Sequence, residues 1–231
     1  MSFPKYLVDR TAFLEGAIKI NPAYAIAGII QKLEKAGATI VGIGCNTSYA
    51  PEIFNVLLEE LNKMNSQVKL LNMPLETCRY ISDNYPQVSR VGLMTSNGTY
   101  KSKTYKSMLE AFGFEVVVPG YDFQNEMIHK MIYDPQFGIK TSSDTIETDV
   151  ILLMNKALSF FKEKKAEAVI LGCTEFSLVL NEHRVEDMLI VDSTESLARA
   201  LIREASKKVV PARSFNNEVR LREMGTEKNI Y

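Results

Sequence analysis

One sequence pattern occurs twice and constrains the fold more than any other feature. Residues 38–47 read Ala-Thr-Ile-Val-Gly-Ile-Gly-Cys-Asn-Thr, and residues 166–175 read Ala-Glu-Ala-Val-Ile-Leu-Gly-Cys-Thr-Glu. The two segments match at the leading Ala, at one Val and at the Gly-Cys pair, and each follows a helical, lysine-rich segment. The pattern indicates a duplicated chain, with one cysteine at the same structural position in each half.

The second copy of the pattern predicts a strand that is buried on both faces. Its apolar run at 168–171 is bounded by polar residues and ends at Gly172, as strands of parallel sheets do. Open α/β sheets carry their chemistry just beyond the carboxyl ends of the strands. Cys173, and by analogy Cys45, are therefore candidate functional residues.

Strands and helices alternate along the chain. This predicts an α/β fold of two pseudo-symmetric lobes with mainly parallel sheets and an active site in the cleft between them. We expect a first lobe at 1–88, joined by 189–210, and a second lobe at 89–188. The segment 211–231 is polar and charged with few apolar residues, so we expect it to be a C-terminal tail.

The two halves differ at their start. The second half opens with a strand and a polar, glycine-containing turn at 91–99, followed by a helix over about 102–112, and no counterpart precedes Arg10. We therefore expect a first lobe that is either shortened or built differently from the second. A sheet that lacks a strand leaves backbone N–H and C=O groups unpaired. The candidates to cover them are the residues before Asp9, the tail after Pro211 and a second copy of the chain, of which we favour the second copy, in a homodimer.

Composition limits the classes of partner. The chain has 231 residues, 46% of them hydrophobic, and a net charge of −1, so nothing in it argues for a nucleic-acid or membrane partner. It contains neither a run of eighteen apolar residues nor a signal-peptide core, and we expect it in the cytoplasm. Three cysteines without a CxxC pair indicate reduced thiols rather than disulfides or structural zinc.

The residues that follow the two strands resemble those of the PLP-independent aspartate/glutamate racemases. The specific matches are Cys45-Asn46-Thr47 and Gly172-Cys173-Thr174-Glu175. Supporting matches are Asp9-Arg10-Thr11, the segment 95–99 with Tyr105, Ile139-Lys140 and Asp192-Ser193-Thr194-Glu195. The resemblance covers about residues 9–205 and implies an enzyme that needs no cofactor.

By this resemblance the protein is an amino-acid racemase that interconverts L and D aspartate or glutamate, with Cys45 and Cys173 as its catalytic pair. Racemisation removes the α-proton from one face of the carbon and returns a proton to the other, which requires two acid–base groups. Cysteine suits both roles because thiol and thiolate are both accessible near neutral pH. The substrate-binding residues that the resemblance implies are Arg10, Asn46, Thr47, Thr95, Thr99, Lys140, Thr174 and Glu175.

Two alternatives stay open at this point. A non-catalytic amino-acid-binding or regulatory protein would keep the cleft with a shortened first lobe. A related cysteine-dependent isomerase or decarboxylase would use the same residues on another substrate. Glu175 either acts on the environment of the cysteine or caps the following helix.

Three further residues are expected to be structural. Cys78 lies in a helix expected over 75–83, where a lone cysteine is usually a small buried apolar residue. His129 and His183 lie in polar segments and are expected at the surface.

Overall fold

The computed structural model describes residues 8–141 and 145–207. Its strands are β1 (Ile40–Gly42), β2 (Lys69–Leu71), β3 (Arg90–Thr95), β4 (Glu115–Val117), β5 (Ala168–Gly172), β6 (Arg184–Val185) and β7 (Met188–Asp192). Strands β1 and β2 form a small parallel sheet, and the larger sheet has the order β4-β3-β5-β7-β6. Within the described residues, only β6 runs antiparallel to its neighbour. The predicted α/β fold with mainly parallel sheets is confirmed.

Helices pack on both sheets. They are α1 (Arg10–Leu14), α2 (Ala23–Lys35), α3 (Pro51–Lys63), α4 (Met73–Asn84), α5 (Asn97–Ser102), α6 (Thr104–Ala111), α7 (Tyr121–Phe123), α8 (Lys130–Tyr133), α9 (Thr148–Glu163) and α10 (Ser193–Ser206). A π-helical turn, Gln124–His129, joins α7 to α8. None of the helices in the described part of the chain is long and apolar enough to cross a membrane.

Sequence signals explain where several helices begin. Pro51 occupies the first turn of α3, where its missing N–H breaks no helical hydrogen bond. Asn72 caps α4 by accepting a hydrogen bond from the backbone N–H of Leu75 at 3.1 Å. Helix α2 ends just before Gly37, whose φ of +95° is a conformation that glycine adopts readily.

The helix expected over 102–112 is instead two shorter helices. The polar segment after β3 already belongs to α5, and Lys103 then takes a left-handed conformation with φ 56° before α6 begins. The hydroxyl of Ser102 donates to the carbonyl of Thr99 at 2.9 Å and is hydrogen-bonded to the hydroxyl of Thr104. Such side-chain bonds compete with the helical ladder and explain the break.

Helices at the sheet boundary tie the two sheets together. Strand β7 pairs with β5, whereas α10 after it places Leu197 and Ala200 in the core around β1 and β2. In the other direction, α4 contributes Cys78 and Ile81 to a core on the larger sheet, and Cys78 is fully buried as expected. The lobe boundaries inferred from the sequence stay a prediction, and the expected tail at 211–231 lies outside the described residues.

Candidate active site

The two cysteines occupy equivalent backbone positions. Cys45 has φ −157° and ψ 110°, and Cys173 has φ −142° and ψ 131°, so both are extended. Each directly precedes a 3₁₀-helix, which spans Asn46–Tyr49 after the first cysteine and Thr174–Leu178 after the second. The repeated sequence therefore produces a repeated local structure, with Cys173 directly after β5 and Cys45 three residues beyond the end of β1.

A single cleft brings residues from both halves together. Its lining residues are Asp9, Arg10, Thr11, Cys45, Asn46, Thr47, Ser96, Tyr133, Lys140, Cys173, Thr174 and Glu175. Every site residue expected from the sequence lines this cleft except Thr95 and Thr99. Both cysteines are partly exposed there, whereas Cys78 is buried elsewhere.

Thr95 and Thr99 lie behind the lining. The Thr99 hydroxyl is hydrogen-bonded to that of Thr47 at 2.9 Å, so Thr99 holds a lining residue in place. Thr95 is fully buried at the end of β3, and a Cβ atom added to Gly172 would stand 2.6 Å from its methyl carbon. The glycine before Cys173 therefore permits the close approach of β3 and β5.

A cation contacts the first sulfur. The Arg10 Nε–H donates to Cys45 Sγ at 3.3 Å. The short helix α1 places this guanidinium, because the Asp9 carboxylate caps α1 by accepting from Ala12 N at 2.9 Å. Burial alone lowers the pKa of Arg10, but the sulfur of Cys45 and the charge of Asp9 outweigh it and raise that pKa.

A carboxylate contacts the second sulfur. Cys173 Sγ donates to Glu175 Oε2 at 2.8 Å, and the Thr174 hydroxyl donates to the same oxygen at 3.1 Å. Burial, followed by the charge and hydrogen bond of Glu175, raises the pKa of the Cys173 thiol well above its usual value. Two roles were left open for Glu175, an effect on the cysteine and a helix cap. Its side-chain hydrogen bonds to Cys173 and Thr174 favour the effect on the cysteine.

Lys140 spans the cleft between two carboxylates. Its Nζ lies 3.3 Å from Asp9 Oδ2 and 3.5 Å from Glu175 Oε1, and it donates to the Tyr133 hydroxyl at 2.9 Å. Burial lowers the pKa of Lys140, but Tyr133, Glu175 and Asp9 outweigh it and raise that pKa. The neighbouring Ile139 is only 3% exposed, so the backbone that carries this lysine is anchored in the core.

Four lining residues were not among the expected site residues. Asp9 and Thr11 flank Arg10, and Ser96 follows Thr95, so adjacency in sequence was the available signal for them. Tyr133 carried no such signal. It meets the cleft because the backbone N–H of Lys140 donates to the Ile132 carbonyl at 3.1 Å, which folds the chain back beside it. Burial raises the pKa of Tyr133 to about 12.

His129 is half-buried rather than exposed, and the expectation for it was wrong. Its Nδ1 accepts from the backbone N–H of Asn97 at 3.3 Å, and its ring lies 4.5 Å from that of Tyr133. The π-helical turn places this ring against the start of α5. Burial lowers the pKa of His129. The side chain of His183 is 81% exposed, as expected.

The chemistry available in the cleft is acid–base chemistry on sulfur beside fixed charges. Two cations, Arg10 and Lys140, suit carboxylate groups, and Asp9 and Glu175 suit an ammonium group. Within residues 8–141 and 145–207, no group of three or more His, Cys, Asp and Glu side chains is arranged to hold a metal ion.

Comparison with known proteins places this chain in a family. Residues 7–201 match the family described as Asp/Glu/Hydantoin racemase. A glutamate racemase of Pseudomonas aeruginosa strain UCBPP-PA14 is 26% identical over 188 residues, covering 78% of this chain. This chain spans 63% of the length of the curated relatives that it matches.

Solved structures show the same fold. The aspartate racemase of Picrophilus torridus is similar with a TM-score of 0.65 at 23% identity, over 93% of this chain and 80% of that one. A glutamate racemase of Francisella tularensis, solved in complex with D-glutamate, has a TM-score of 0.60 at 16% identity, over 93% of this chain and 72% of that one. With most of its length matched by the family profile, the chain belongs to the Asp/Glu/Hydantoin racemase family.

Proposed function

We propose that this protein is a cofactor-independent racemase of aspartate or glutamate that uses Cys45 and Cys173 as a two-base pair. The observation that carries the proposal is the pairing of these cysteines. They occupy equivalent positions after duplicated strands and line one cleft together with Arg10 and Lys140. The names of the relatives, glutamate racemase and aspartate racemase, support an acidic amino acid as the substrate.

The proposed reaction moves one proton off the α-carbon and another onto it. In one direction the thiolate of Cys45 removes the α-proton, and the electron pair of the broken C–H bond stays on the carbon. The S–H of Cys173 then gives its proton to the opposite face, so that its sulfur becomes the thiolate. In the other direction the two sulfurs exchange roles.

Fixed charges in the cleft assist this transfer. The α-proton is only weakly acidic, so the site must stabilise the negative charge that develops during the transfer. In our proposal, Arg10 and Lys140 bind the two carboxylates of the substrate, and Asn46, Thr47 and Thr174 supply hydrogen bonds. Thr95 and Thr99 act from behind the lining, through Gly172 and Thr47.

Deuterium exchange at the α-carbon tests the proposal. Each enantiomer of aspartate and glutamate is incubated with the protein in D₂O, and the α-proton signal and optical rotation are followed. We expect label to enter the substrate as it racemises. A Cys78→Ala variant is the matched control, because that cysteine lies buried outside the cleft. Saturable binding without exchange would instead support a non-catalytic amino-acid-binding protein.

Deuterium exchange, followed together with CO₂ release, also distinguishes a racemase from a related decarboxylase. A related cysteine-dependent decarboxylase would release CO₂ from a substituted malonate and leave aspartate unlabelled. The fold alone does not discriminate here, because an arylmalonate decarboxylase is also similar, with a TM-score of 0.52 at 14% identity. The paired cations Arg10 and Lys140 favour a substrate that keeps both of its carboxylates.

We further propose that the protein acts as a homodimer in the cytoplasm. Three free cysteines fit a reducing compartment. In the described residues, β1 pairs with β2 along one edge, where the Thr39 carbonyl accepts from Lys69 N at 2.8 Å. Because alternate residues of a parallel strand bond to opposite edges, the N–H of Ile40 faces away from β2. We propose that a second copy covers this edge.

Light scattering of the dilute native protein tests the homodimer, and we expect the mass of two chains. An Ile40→Pro variant should be monomeric, because proline removes a donor from the outer edge while leaving the pairing with β2 intact. Val41→Pro is the comparison, since it disrupts pairing with β2 and should impair folding itself. A stable, well-folded native monomer would contradict the proposal.

A further inference from the structure

We propose that Glu175 holds the proton on Cys173 in the resting protein, so that Cys173 is the resting acid of the pair. The catalytic meaning of this assignment rests on the proposed racemase function, whereas the protonation states themselves do not. The two half-sites have the same backbone, and the inference concerns the charged side chains that make them unequal.

The hydrogen bonds around Cys173 require a proton on its sulfur. Cys173 Sγ lies 2.8 Å from Glu175 Oε2, and that oxygen also accepts from the Thr174 hydroxyl. The other oxygen of the carboxylate lies 3.5 Å from Lys140 Nζ. Glu175 is therefore held as an anion. A thiolate beside it would place two negative charges in contact with no proton between them, and like charges this close disfavour ionisation.

The contacts of Cys45 differ from those of Cys173 in charge. Its sulfur accepts from Arg10 Nε at 3.3 Å, and a guanidinium in a protein stays protonated. The two sulfurs therefore contact groups of opposite charge, a cation at Cys45 and a carboxylate at Cys173. The ionisable groups that line the cleft with the two cysteines are Asp9, Arg10, Tyr133, Lys140 and Glu175.

This asymmetry defines two forms of the protein. The resting form carries the Cys173 thiol, and in the reversed form, after that proton has passed to the substrate, Cys173 is a thiolate. The reversed form places a thiolate against Glu175 and is the less stable of the two. Since enantiomers have equal free energies, kcat/KM stays equal in the two directions. The asymmetry appears in the protonation of the sulfurs rather than in that ratio.

Alkylation of the thiols measures this protonation without any substrate. The full chain is treated with iodoacetamide over a range of pH, and the modification of each cysteine is quantified by peptide mass spectrometry. Alkylation follows the thiolate fraction, so we expect Cys173 in the native protein to react only at alkaline pH. In a Glu175→Gln variant, Cys173 should react about tenfold faster at mildly alkaline pH, because the neighbouring negative charge that disfavours its thiolate is gone.

Variants with opposite expected effects make the test specific. Lys140→Met removes the counter-ion of Glu175 and should slow alkylation of Cys173, whereas Glu175→Asp keeps the charge and should leave Cys173 slow to react. Glu59→Gln, on the exposed face of α3, is the matched control and should change neither cysteine. Melting curves for each variant establish that the fold is retained.

Two results would overturn the proposal. One is ready alkylation of Cys173 in the native protein at neutral pH. The other is an unchanged rate at Cys173 in a folded Glu175→Gln variant. The alkylation test uses no substrate, so neither result bears on the racemase proposal, which deuterium exchange tests separately. Equally, a failure of deuterium exchange would not change the protonation of Cys173 that alkylation measures.

Discussion

The two cysteine-bearing strands are alike in sequence and differ in their surroundings. Strand β5 lies between β3 and β7, and all five of its residues are buried. Strand β1, with only β2 beside it among the described residues, has a single buried residue, Val41. The local pattern therefore determines the backbone around each cysteine, while the neighbouring elements determine how firmly each strand is enclosed and which charges reach each sulfur.

The largest expected effect is the loss of racemisation when either sulfur is removed. Cys45→Ser and Cys173→Ser should each lower net racemisation by about 10²- to 10⁴-fold, because a positioned acid–base group contributes that much and an alkoxide is a poor base near neutral pH. A racemisation assay measures this, with Cys78→Ala as the control. Near-normal turnover in either variant would contradict the two-cysteine mechanism.

The two cysteine-to-serine variants also test whether the two sulfurs act on opposite faces of the α-carbon. Each retains one thiol, which can still exchange the α-proton of one enantiomer with solvent. We expect Cys45→Ser and Cys173→Ser to label opposite enantiomers in D₂O. If both variants labelled the same enantiomer, the two sulfurs would not lie on opposite faces of the α-carbon.

The next largest effect concerns Lys140, which connects the two half-sites through Asp9 and Glu175. Lys140→Met should weaken binding of aspartate and glutamate by roughly ten- to a hundredfold, since a hydrogen bond to a charged group contributes about 1.5–3 kcal/mol. Binding of alanine should change less, and calorimetry measures both. The matched control is Lys130→Met, whose charge lies near Asp134 and outside the cleft lining. Unchanged dicarboxylate affinity would remove Lys140 from the site.

The equivalent glycines test how tightly each strand is enclosed. A Cβ at Gly172 would lie 2.6 Å from the Thr95 methyl carbon and 3.1 Å from the Met94 carbonyl oxygen, whereas a Cβ at Gly44 meets nothing within 4 Å. Gly172→Ala should therefore lower the free energy of unfolding by about 1–3 kcal/mol, and Gly44→Ala should be nearly neutral. Urea denaturation measures both, and Thr95→Ser should partly rescue Gly172→Ala. Equal losses at the two positions would contradict the difference in packing.

The smallest effect concerns Glu204, which ties α10 to the smaller sheet. Its carboxylate accepts from Lys207 and from Lys69 of β2, both at 2.6 Å, and these bonds lower its pKa from 4.5 to about 2. A lowered folded pKa contributes stability above about pH 4.5 that is lost as the pH falls towards 2. Glu204 is buried but both lysines are exposed to solvent, which screens the pairs, so we expect a contribution of about 1 kcal/mol and a small change. Urea midpoints for Glu204→Gln should fall less steeply with acid than those of the native protein, and parallel curves would contradict this.

The sequence predicts strands and site residues best where the signal comes from neighbouring residues. The buried run of β5 and the cysteine after each duplicated strand depend on neighbouring residues, and the structure has them where they were expected. It failed at residues 97–104, where side-chain hydrogen bonds from Ser102 interrupt a helical pattern. It also failed at His129, whose burial depends on α5 from a different part of the chain.

By itself the sequence determined the fold class, the duplication and the residue types available for chemistry, because hydrophobic periodicity and the Gly-Cys motif are local properties. Only the tertiary structure decided that Arg10 contacts Cys45, that Glu175 contacts Cys173 and that Tyr133 joins Lys140 and Asp9. Arg10 and Cys45 are 35 residues apart, and Tyr133 and Asp9 are 124 residues apart. Such contacts form when separate strands and helices pack against each other. The distances between these side chains depend on that packing and cannot be read from local sequence patterns.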